Sequence, residues 1–229
     1  MNVSLPACIE SLELHLRCLQ RTGLRFDGLA AQRPQTACAL TPEERLAALY
    51  SENAQCRRCR LCSNRTHIVF GEGCAEARLM FIGEAPDSAS DAQGRPFAGE
   101  SGQLLTRIIE AIKMQRNQVY LTTVVKCRAQ PDDPGEDAIE ACRPILQRQI
   151  EIIQPEIICA LGPAAARALQ GQASGANPAR GQFYRAGAVP VMPTHPPELL
   201  LLRPELKQET WIDVQRIQRE LESKPSREG

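Results

Sequence analysis

The feature that most constrains the fold of this chain is an alternation of short apolar runs with amphipathic helical segments over most of its length. Runs at 79–82, 119–125 and 157–161 have the length of strands, and the second is rich in β-branched residues. Between them, residues 101–114 and 136–153 place apolar side chains at helical spacing. Strands that alternate with helices predict an α/β fold, a central mostly parallel sheet flanked by helices.

The later segments continue the same pattern. Residues 163–170 are typical of a short alanine-rich helix, and residues 182–185 and 189–192 form either a hairpin or the last strands. Residues 204–221 predict a terminal helix. In such sheets the active site lies at the carboxyl ends of the strands. These ends are predicted at 83–86, 126–128, 162 and 194–196.

Residues 1–40 differ from the rest and are interpreted as an N-terminal helical appendage and linker. A helix is predicted at 5–20, and the polar segment 30–40 has the composition of a linker. The leucines at helical spacing are Leu12, Leu16 and Leu19. The main domain is assigned to 41–223 and begins with a helix. Its start signals are Thr41 as cap, Pro42 at the first helical position and Glu44 as the capping-box carboxylate.

Composition restricts the classes of function. Lysine plus arginine and aspartate plus glutamate both total 27, so the formal net charge is zero and a highly basic DNA coat protein is disfavoured. A local basic groove remains compatible with that balance, because phosphate binding needs clustered charge. The sequence contains no apolar run of membrane-spanning length and no secretory signal pattern, so we expect a cytoplasmic protein without a membrane partner.

Ten cysteines are unusual for a protein of 229 residues. In a reducing compartment they are not expected to be mostly disulfides. Cys56 and Cys59 form a CxxC, a spacing shared by redox dithiols, zinc sites and iron–sulfur sites. Cys127 follows a predicted strand and Cys142 lies in the next helix, which completes a set of four ligands for zinc or a cubane cluster. The alternative is that Cys142, like Cys159, is a small buried residue.

The other cysteines are interpreted as plain thiols, with one of them a candidate substitute ligand. The plain thiols are Cys8, Cys18, Cys38 and Cys74, and the candidate substitute is Cys62.

A glycine-rich segment follows the first predicted strand. It contains neither a GxGxxG nor a GK[ST] signature, so it is not a dinucleotide-binding or Walker loop. Residues 83–86 and 94–105 form a tight loop that leads into a helix and present backbone N–H groups, Glu84 and Phe97 at the sheet edge. That combination suits a flat polar ring stacked on an aromatic side chain beside an anion or phosphate.

Taken in order, these motifs resemble the iron–sulfur (family 4) uracil-DNA glycosylases over roughly residues 56–213. They are CRRCRLCSNRT (56–66), VFGEG (69–73), IGEAP (82–86), GRPFAGESGQLL (94–105), VYLTTVVKCR (119–128), Cys142, QIEIIQPEIICALG (149–162), THP (194–196) and Trp211. Several long motifs in one order are more specific than any single motif. The resemblance implies a [4Fe–4S] cluster on Cys56, Cys59, Cys127 and Cys142 and ranks it above zinc.

The resemblance also implies the reaction, hydrolysis of the N-glycosidic bond of a uracil flipped out of single- or double-stranded DNA by a monomeric enzyme. By resemblance, His195 donates a hydrogen bond to the departing uracil anion, Phe97 stacks on the base, and Glu84 orients water or stabilises the sugar cation. The backbone around Gly83 and Ala85 helps to hold the base. From the residues alone, His195 is alternatively a loop residue, Phe97 a core residue and Glu84 a helix cap or surface carboxylate.

Three positions depart from the family pattern. Asp87 replaces the glycine that usually ends the first loop, and Ser90 precedes Asp91 where an acidic pair is usual. Thr123 stands where an asparagine amide usually reads the uracil edge, and a hydroxyl cannot make the paired contacts of an amide. These departures keep open a non-catalytic iron–sulfur protein that binds nucleic acid. A redox or zinc protein working through Cys56 and Cys59 is a third alternative.

Overall fold

The computed structural model describes residues 40–129, 134–170 and 179–224. All of these belong to the unit that runs from Leu40 to the C-terminus. The predicted N-terminal helix, and the linker up to residue 39, lie outside the described residues.

The strands form one mixed sheet at the centre of this unit. They are β1 (Glu72–Gly73), β2 (Leu79–Gly83), β3 (Tyr120–Thr123), β4 (Ile157–Leu161), β5 (Tyr184–Ala186) and β6 (Val189–Thr194). Their order across the sheet is β1-β3-β2-β4-β6-β5. The inner strands β3, β2, β4 and β6 are parallel, whereas β1 and β5 pair antiparallel at the two edges. The predicted mostly parallel sheet is confirmed. The strands predicted after residue 182 form a hairpin and are at the same time the last two strands of the sheet, so both alternatives are observed.

Helices cover both faces of the sheet. They are α1 (Pro42–Asn53), α2 (Ser88–Gln93), α3 (Glu100–Ala111), α4 (Glu136–Ile153), α5 (Pro163–Gln170), α6 (Pro197–Leu202) and α7 (Lys207–Glu222). Single 3₁₀ turns lie at Arg60–Ser63, Arg116–Gln118 and Pro204–Leu206. None of the described helices is long and apolar enough to cross a membrane.

The capping box predicted for α1 is present. The Glu44 backbone N–H donates to Oγ1 of Thr41 at 3.2 Å, and the Thr41 N–H donates to Oε2 of Glu44 at 2.8 Å. Two N–H groups that the helix cannot satisfy internally are therefore bonded.

Alternation of side chains along the strands divides the core into two layers. On β2, Met80 and Ile82 pack into one layer with residues of α1, α4 and α5. Leu79 and Phe81 point to the other face and pack with residues of α3 and α7. This period of two is the expected geometry of a strand buried on both faces.

Several element boundaries differ from the predictions, and α3 ends at Ala111 rather than at 114. β3 ends at Thr123 rather than at 125, because the N–H groups of Val124 and Val125 donate to the carbonyls of Gly83 and Glu84 as the chain turns across the end of β2. The terminal helix begins at Lys207, after the Pro204–Leu206 turn. The short helices α2 and α6 were not predicted as separate elements.

Candidate active site and cysteine centre

The ends of β2 and β3 bring Gly83, Phe97 and Thr123 together. A Cβ built on Gly83 would lie 2.7 Å from Cζ of Phe97 and 3.5 Å from Cγ2 of Thr123. A side chain at position 83 would therefore collide with the aromatic ring. This contact places three of the four predicted base-binding residues in one corner, and Ala85, which is half-buried, follows two residues after Gly83.

Phe97 has an unusual backbone. Its φ is +53°, in the left-handed region that bulky residues rarely adopt, and its residue is only 7% exposed. A Cβ on Gly102, in the first turn of α3, would lie 1.6 Å from the Phe97 carbonyl oxygen. The absence of a side chain at Gly102 therefore lets the Phe97 loop pack directly on the helix. The ring joins the core layer of α3 and α7, as the core-packing alternative expected, while one part of it lies against Gly83.

Thr123 is 1% exposed, and its hydroxyl is bonded inside the protein. Oγ1 donates to the carbonyl oxygen of Val125 at 2.7 Å. The methyl group, rather than the hydroxyl, lies nearest to Gly83. At the position where the family pattern has an amide, this chain thus turns an apolar group toward the Gly83–Phe97 corner.

Glu84 caps a neighbouring helix. Its Oε1 accepts a hydrogen bond of 2.7 Å from the backbone N–H of Ala164, in the first turn of α5. Gly162 makes room for this contact, since a Cβ there would lie 2.5 Å from Oε1 and its φ is +101°. The helix-cap alternative for Glu84 is therefore observed, and its predicted role toward water or sugar stays a prediction.

His195 follows the end of β6 and is anchored to α7. Its Nε2 lies 3.0 Å from Oε2 of Glu209, and a carboxylate partner requires that Nε2 carry the proton. Arg180 contacts Glu209 Oε2 at 3.3 Å and Asp213 Oδ2 at 2.8 Å, and Thr194 Oγ1 donates to the same Asp213 oxygen at 2.8 Å. The His195 contact and then the charge of Arg180 lower the pKa of Glu209. His195 is thus a held residue rather than an unattached loop histidine.

The residues between 87 and 91 that depart from the family pattern, or stand beside such a departure, make local hydrogen bonds. Asp87 caps α2 through a 2.7 Å bond from the Ser90 N–H to its Oδ1. Asp91 is 3% exposed and accepts from the Thr66 N–H at 2.9 and 3.0 Å and from the His67 N–H at 3.4 Å. Both carboxylates accept hydrogen bonds from backbone N–H groups, so their observed role is to stabilise local structure.

Glu198 is a candidate site residue that the sequence reasoning missed. It lies three residues after His195, in the first turn of α6. Although Glu198 is exposed, partial loss of hydration raises the pKa of its carboxyl. The negative charges of Asp87 and Glu84 raise this pKa further, whereas a hydrogen bond from Ser101 lowers it. Its position directly after His-Pro-Pro is the signal that could have found it.

Lys126 is a second residue that was missed. It is 1% exposed, and its Nζ donates to Oγ1 of Thr122 at 2.6 Å, to the carbonyl of Thr123 at 2.5 Å and to Oε1 of Gln149 at 2.7 Å. Burial lowers the pKa of Lys126 to about 7, and the three acceptors around Nζ favour its charged form. The turn between Thr123 and Cys127 is thereby fixed from inside.

The four cysteines of the predicted cluster belong to one neighbourhood. Cys127 and Cys142 are buried, whereas Cys56 and Cys59 are half-buried. Burial raises the pKa values of the Cys127 and Cys142 thiols, and the thiols of Cys59 and Cys56 act on Cys127 in the same direction. Arg65 joins two of the segments, since its Nη1 donates to Sγ of Cys127 at 3.3 Å and to the Cys56 carbonyl at 2.8 Å.

Four cysteine thiols are a donor set that suits either zinc or an iron–sulfur cluster. Among the residues that the structure describes, no group of three or more His, Cys, Asp or Glu side chains is arranged to hold a single metal ion. In a [4Fe–4S] cluster each of the four irons would take one cysteine thiolate, so the four sulfurs would not have to converge on one ion. Four thiols with a guanidinium beside one sulfur fit that chemistry, because a positive donor stabilises a thiolate.

Comparison with known proteins places the chain in a family. The model of the uracil DNA glycosylase superfamily matches residues 70–215. Type-4 uracil-DNA glycosylases of Sulfurisphaera tokodaii and Saccharolobus solfataricus are 40% and 37% identical to it over 80% of this chain, which spans 87% and 89% of their lengths. That of Archaeoglobus fulgidus is 34% identical over 76% of this chain and 92% of its own length. The chain therefore belongs to the uracil DNA glycosylase superfamily and, within it, to the type-4 uracil-DNA glycosylases.

Proposed function

We propose that this protein is a DNA repair enzyme that hydrolyses the N-glycosidic bond of uracil in DNA. The observation that carries the proposal is the corner formed by Gly83, Phe97 and Thr123, with the anchored His195 at the same edge of the sheet. The relatives of similar length bear the name uracil-DNA glycosylase, which supports the same conclusion.

The residues of the edge suit this reaction. Bond cleavage leaves an electron-poor sugar and a uracil anion, so the site must stabilise both charges. In the proposed scheme the Phe97 ring stacks on the base and the missing side chain of Gly83 lets the base approach the backbone. Nε2–H of His195 stays with Glu209, so a doubly protonated ring has its Nδ1–H to donate to the uracil carbonyl. Glu84 and Glu198, whose charges act on each other, are the carboxylates proposed to stabilise the developing sugar cation.

The proposal includes a [4Fe–4S] cluster held by Cys56, Cys59, Cys127 and Cys142. When bound, it supplies iron–thiolate bonds that join the CxxC loop, the turn after β3 and helix α4. The protein itself contributes Arg65, which stabilises the Cys127 thiolate. We further propose a monomer that acts in the cytoplasm, where reducing conditions keep ten cysteines from pairing.

Colour and metal content test the cluster. An anaerobic preparation is expected to be brown and to contain iron and sulfide. Cys127→Ala is expected to lose the colour, whereas Cys74→Ala, outside the set, and Cys8→Ala are expected to keep it. A colourless preparation with stoichiometric zinc would overturn the cluster and leave a zinc centre in its place.

Single-turnover assays on oligonucleotides that contain uracil, hypoxanthine or xanthine test the activity. We expect uracil to be excised and His195→Ala to lose excision, since the leaving anion loses its donor. The Thr123 hydroxyl is bonded inside the protein, which leaves a non-catalytic DNA-binding protein as the alternative function. The same assays distinguish this alternative. In that case no base is excised, yet the wild type and His195→Ala bind DNA equally well.

A further inference from the structure

The strained backbone of Phe97 needs partners that hold it. A non-glycine residue in a sparsely populated backbone conformation is strained, and it persists only where surrounding contacts impose it. Phe97 has φ +53° and lies in the loop between α2 and α3. The contacts that impose this conformation therefore also decide where its ring lies.

Arg116, in the 3₁₀ turn before β3, donates hydrogen bonds to the carbonyls on both sides of Phe97. Its Nη2 donates to the carbonyl of Pro96 at 2.8 Å and to that of Phe97 at 3.2 Å. Its Nη1 donates to Oγ1 of Thr106 at 3.1 Å and approaches the carbonyl of Gly102 at 3.5 Å. One guanidinium thus joins the two peptide units that flank Phe97 to the first two turns of α3. A planar group with five N–H donors is suited to such multiple contacts.

Glu72 holds Arg116 in turn. The Nε of Arg116 donates to Oε1 of Glu72 at 2.9 Å, and Nη2 lies 2.7 Å from the same oxygen. Both side chains are mostly buried, with 24% of Arg116 and 20% of Glu72 exposed. The other Glu72 oxygen accepts from Nε of Arg95 at 2.7 Å, but the Arg95 side chain is 66% exposed and bonds no loop carbonyl within the described residues.

The placement of Glu72 accounts for the VFGEG motif, to which the proposed reaction gives no role. Glu72 and Gly73 form the edge strand β1, paired with Leu121 and Tyr120 of β3. A Cβ on Gly73 would lie 1.9 Å from the Val119 carbonyl oxygen, so only glycine allows the strand to approach so closely. The edge strand thereby carries Glu72 to Arg116.

We infer that Arg116, fixed by Glu72, is a positioning residue for base recognition, because it holds the Phe97 loop in the conformation that places the ring against Gly83. The inference rests on the proposed uracil excision, in which Phe97 stacks on the base. Arg116 itself touches no reacting group. Arg116 affects a substrate only by positioning Phe97. A substitution of Arg116 should therefore change steps that need the Phe97 ring and leave the others unchanged.

Arg116→Lys and the matched Arg95→Lys test the inference, since both remove a guanidinium from Glu72 and keep the charge. Hydrogen exchange measured by mass spectrometry across 94–103 is expected to accelerate in Arg116→Lys and to stay at the wild-type rate in Arg95→Lys. Single-turnover excision of uracil is expected to fall about tenfold to a hundredfold only in Arg116→Lys, in keeping with the sensitivity of catalysis to small displacements. Affinity for an oligonucleotide with an abasic site, which offers no base to stack, should not change.

Coupling to Phe97 separates positioning from general stability. In a Phe97→Leu background, adding Arg116→Lys is expected to cause no further loss of excision. An equal loss in both backgrounds, a parallel loss of abasic-site affinity, or unchanged exchange across the loop would each overturn the inference. If the wild type excises no base, the proposed function fails, while the exchange measurement still decides whether Arg116 holds the loop.

Discussion

Thr123 is buried at the predicted reading position with its polar atom directed away from the base site. Its Oγ1 donates to the Val125 carbonyl at 2.7 Å, and its methyl group is the part nearest to Gly83. The hydroxyl therefore stabilises the turn after β3, which leads to Lys126 and Cys127. In the proposed site, Thr123 thus offers a base its methyl group rather than a hydrogen bond.

This arrangement gives opposite predictions for two substitutions. Thr123→Val replaces the hydroxyl with a methyl group of similar size and keeps the group that faces Gly83, so uracil excision is expected to stay near the wild-type rate. The free energy of unfolding is expected to fall by about 1–3 kcal/mol, because the Val125 carbonyl loses its donor. Thr123→Asn adds an amide that can pair with the base and is expected to raise excision about tenfold to a hundredfold. Single-turnover rates and urea denaturation measure the two effects.

Two outcomes would contradict this interpretation. A large loss of excision in Thr123→Val would mean that the hydroxyl contacts the substrate after all. If the wild type excises uracil faster than Thr123→Asn does, Thr123 itself contributes to base recognition. The substrate would then not be uracil alone. The matched stability measurement keeps a folding defect from being mistaken for either result.

At the scale of elements, the contact between α3 and the Phe97 loop depends on Gly102. Its hypothetical Cβ would lie 1.6 Å from the Phe97 carbonyl oxygen, which neither backbone can accommodate without moving. We expect Gly102→Ala to displace the loop, to lower the free energy of unfolding by about 1–3 kcal/mol, and to slow excision of uracil. Thermal unfolding and single-turnover kinetics check the two expectations.

Gly99→Ala provides the matched control within the same loop. Its Cβ would lie 3.2 Å from Cβ of Ala89, a contact that a small shift can relieve. We expect a loss of stability of about 0.5–1 kcal/mol, because Gly99 is the N-cap of α3 and alanine is a poorer cap than glycine. Equal effects of the two substitutions would mean that the loop does not depend on the close approach of Gly102.

Elements with strong local signals were predictable from the sequence. The apolar period gave α4 and β4 with their observed bounds, and the capping residues gave the start of α1. The elements that escaped were short ones. α2 is six residues without an apolar period, and β1 is two residues whose pairing depends on β3, far away in the chain.

The sequence predicted which candidate residues meet at this edge of the sheet, but it did not predict their hydrogen-bond partners. Strand ends and motifs located Gly83, Phe97 and His195 at one edge. The partners lie at sequence separations that no local pattern encodes: Glu209 is 14 residues from His195, and Ala164 is 80 residues from Glu84. Since such contacts arise only when elements pack, the helix-capping contact of Glu84 and the anchoring of His195 required the fold.

At the scale of the whole molecule, a zero net charge makes local clustering decisive for DNA binding. Arg57 and Arg58 are exposed beside the cysteine centre and form no salt bridge within the described residues. Arg60 is also exposed, but it lies 3.4 Å from Asp137 and donates to the Pro134 carbonyl at 2.9 Å. Arg128, after Cys127, is half-buried. The first two arginines are therefore the strongest candidates for phosphate contacts.

This distribution predicts the salt dependence of DNA affinity. Each phosphate contact releases counterions and contributes about 0.9 to the slope of log K against log salt on duplex DNA. The Arg57→Ala/Arg58→Ala variant is expected to flatten that slope by about 1.8, since two contacts are lost. Arg185→Ala, an exposed arginine on β5 at the far edge of the sheet, should leave it unchanged. Fluorescence anisotropy across a salt series measures the slopes. An unaltered slope in the double variant would move the phosphate contacts away from the cysteine loop, whereas equal flattening by Arg185→Ala would show that the whole surface, rather than one cluster, attracts DNA.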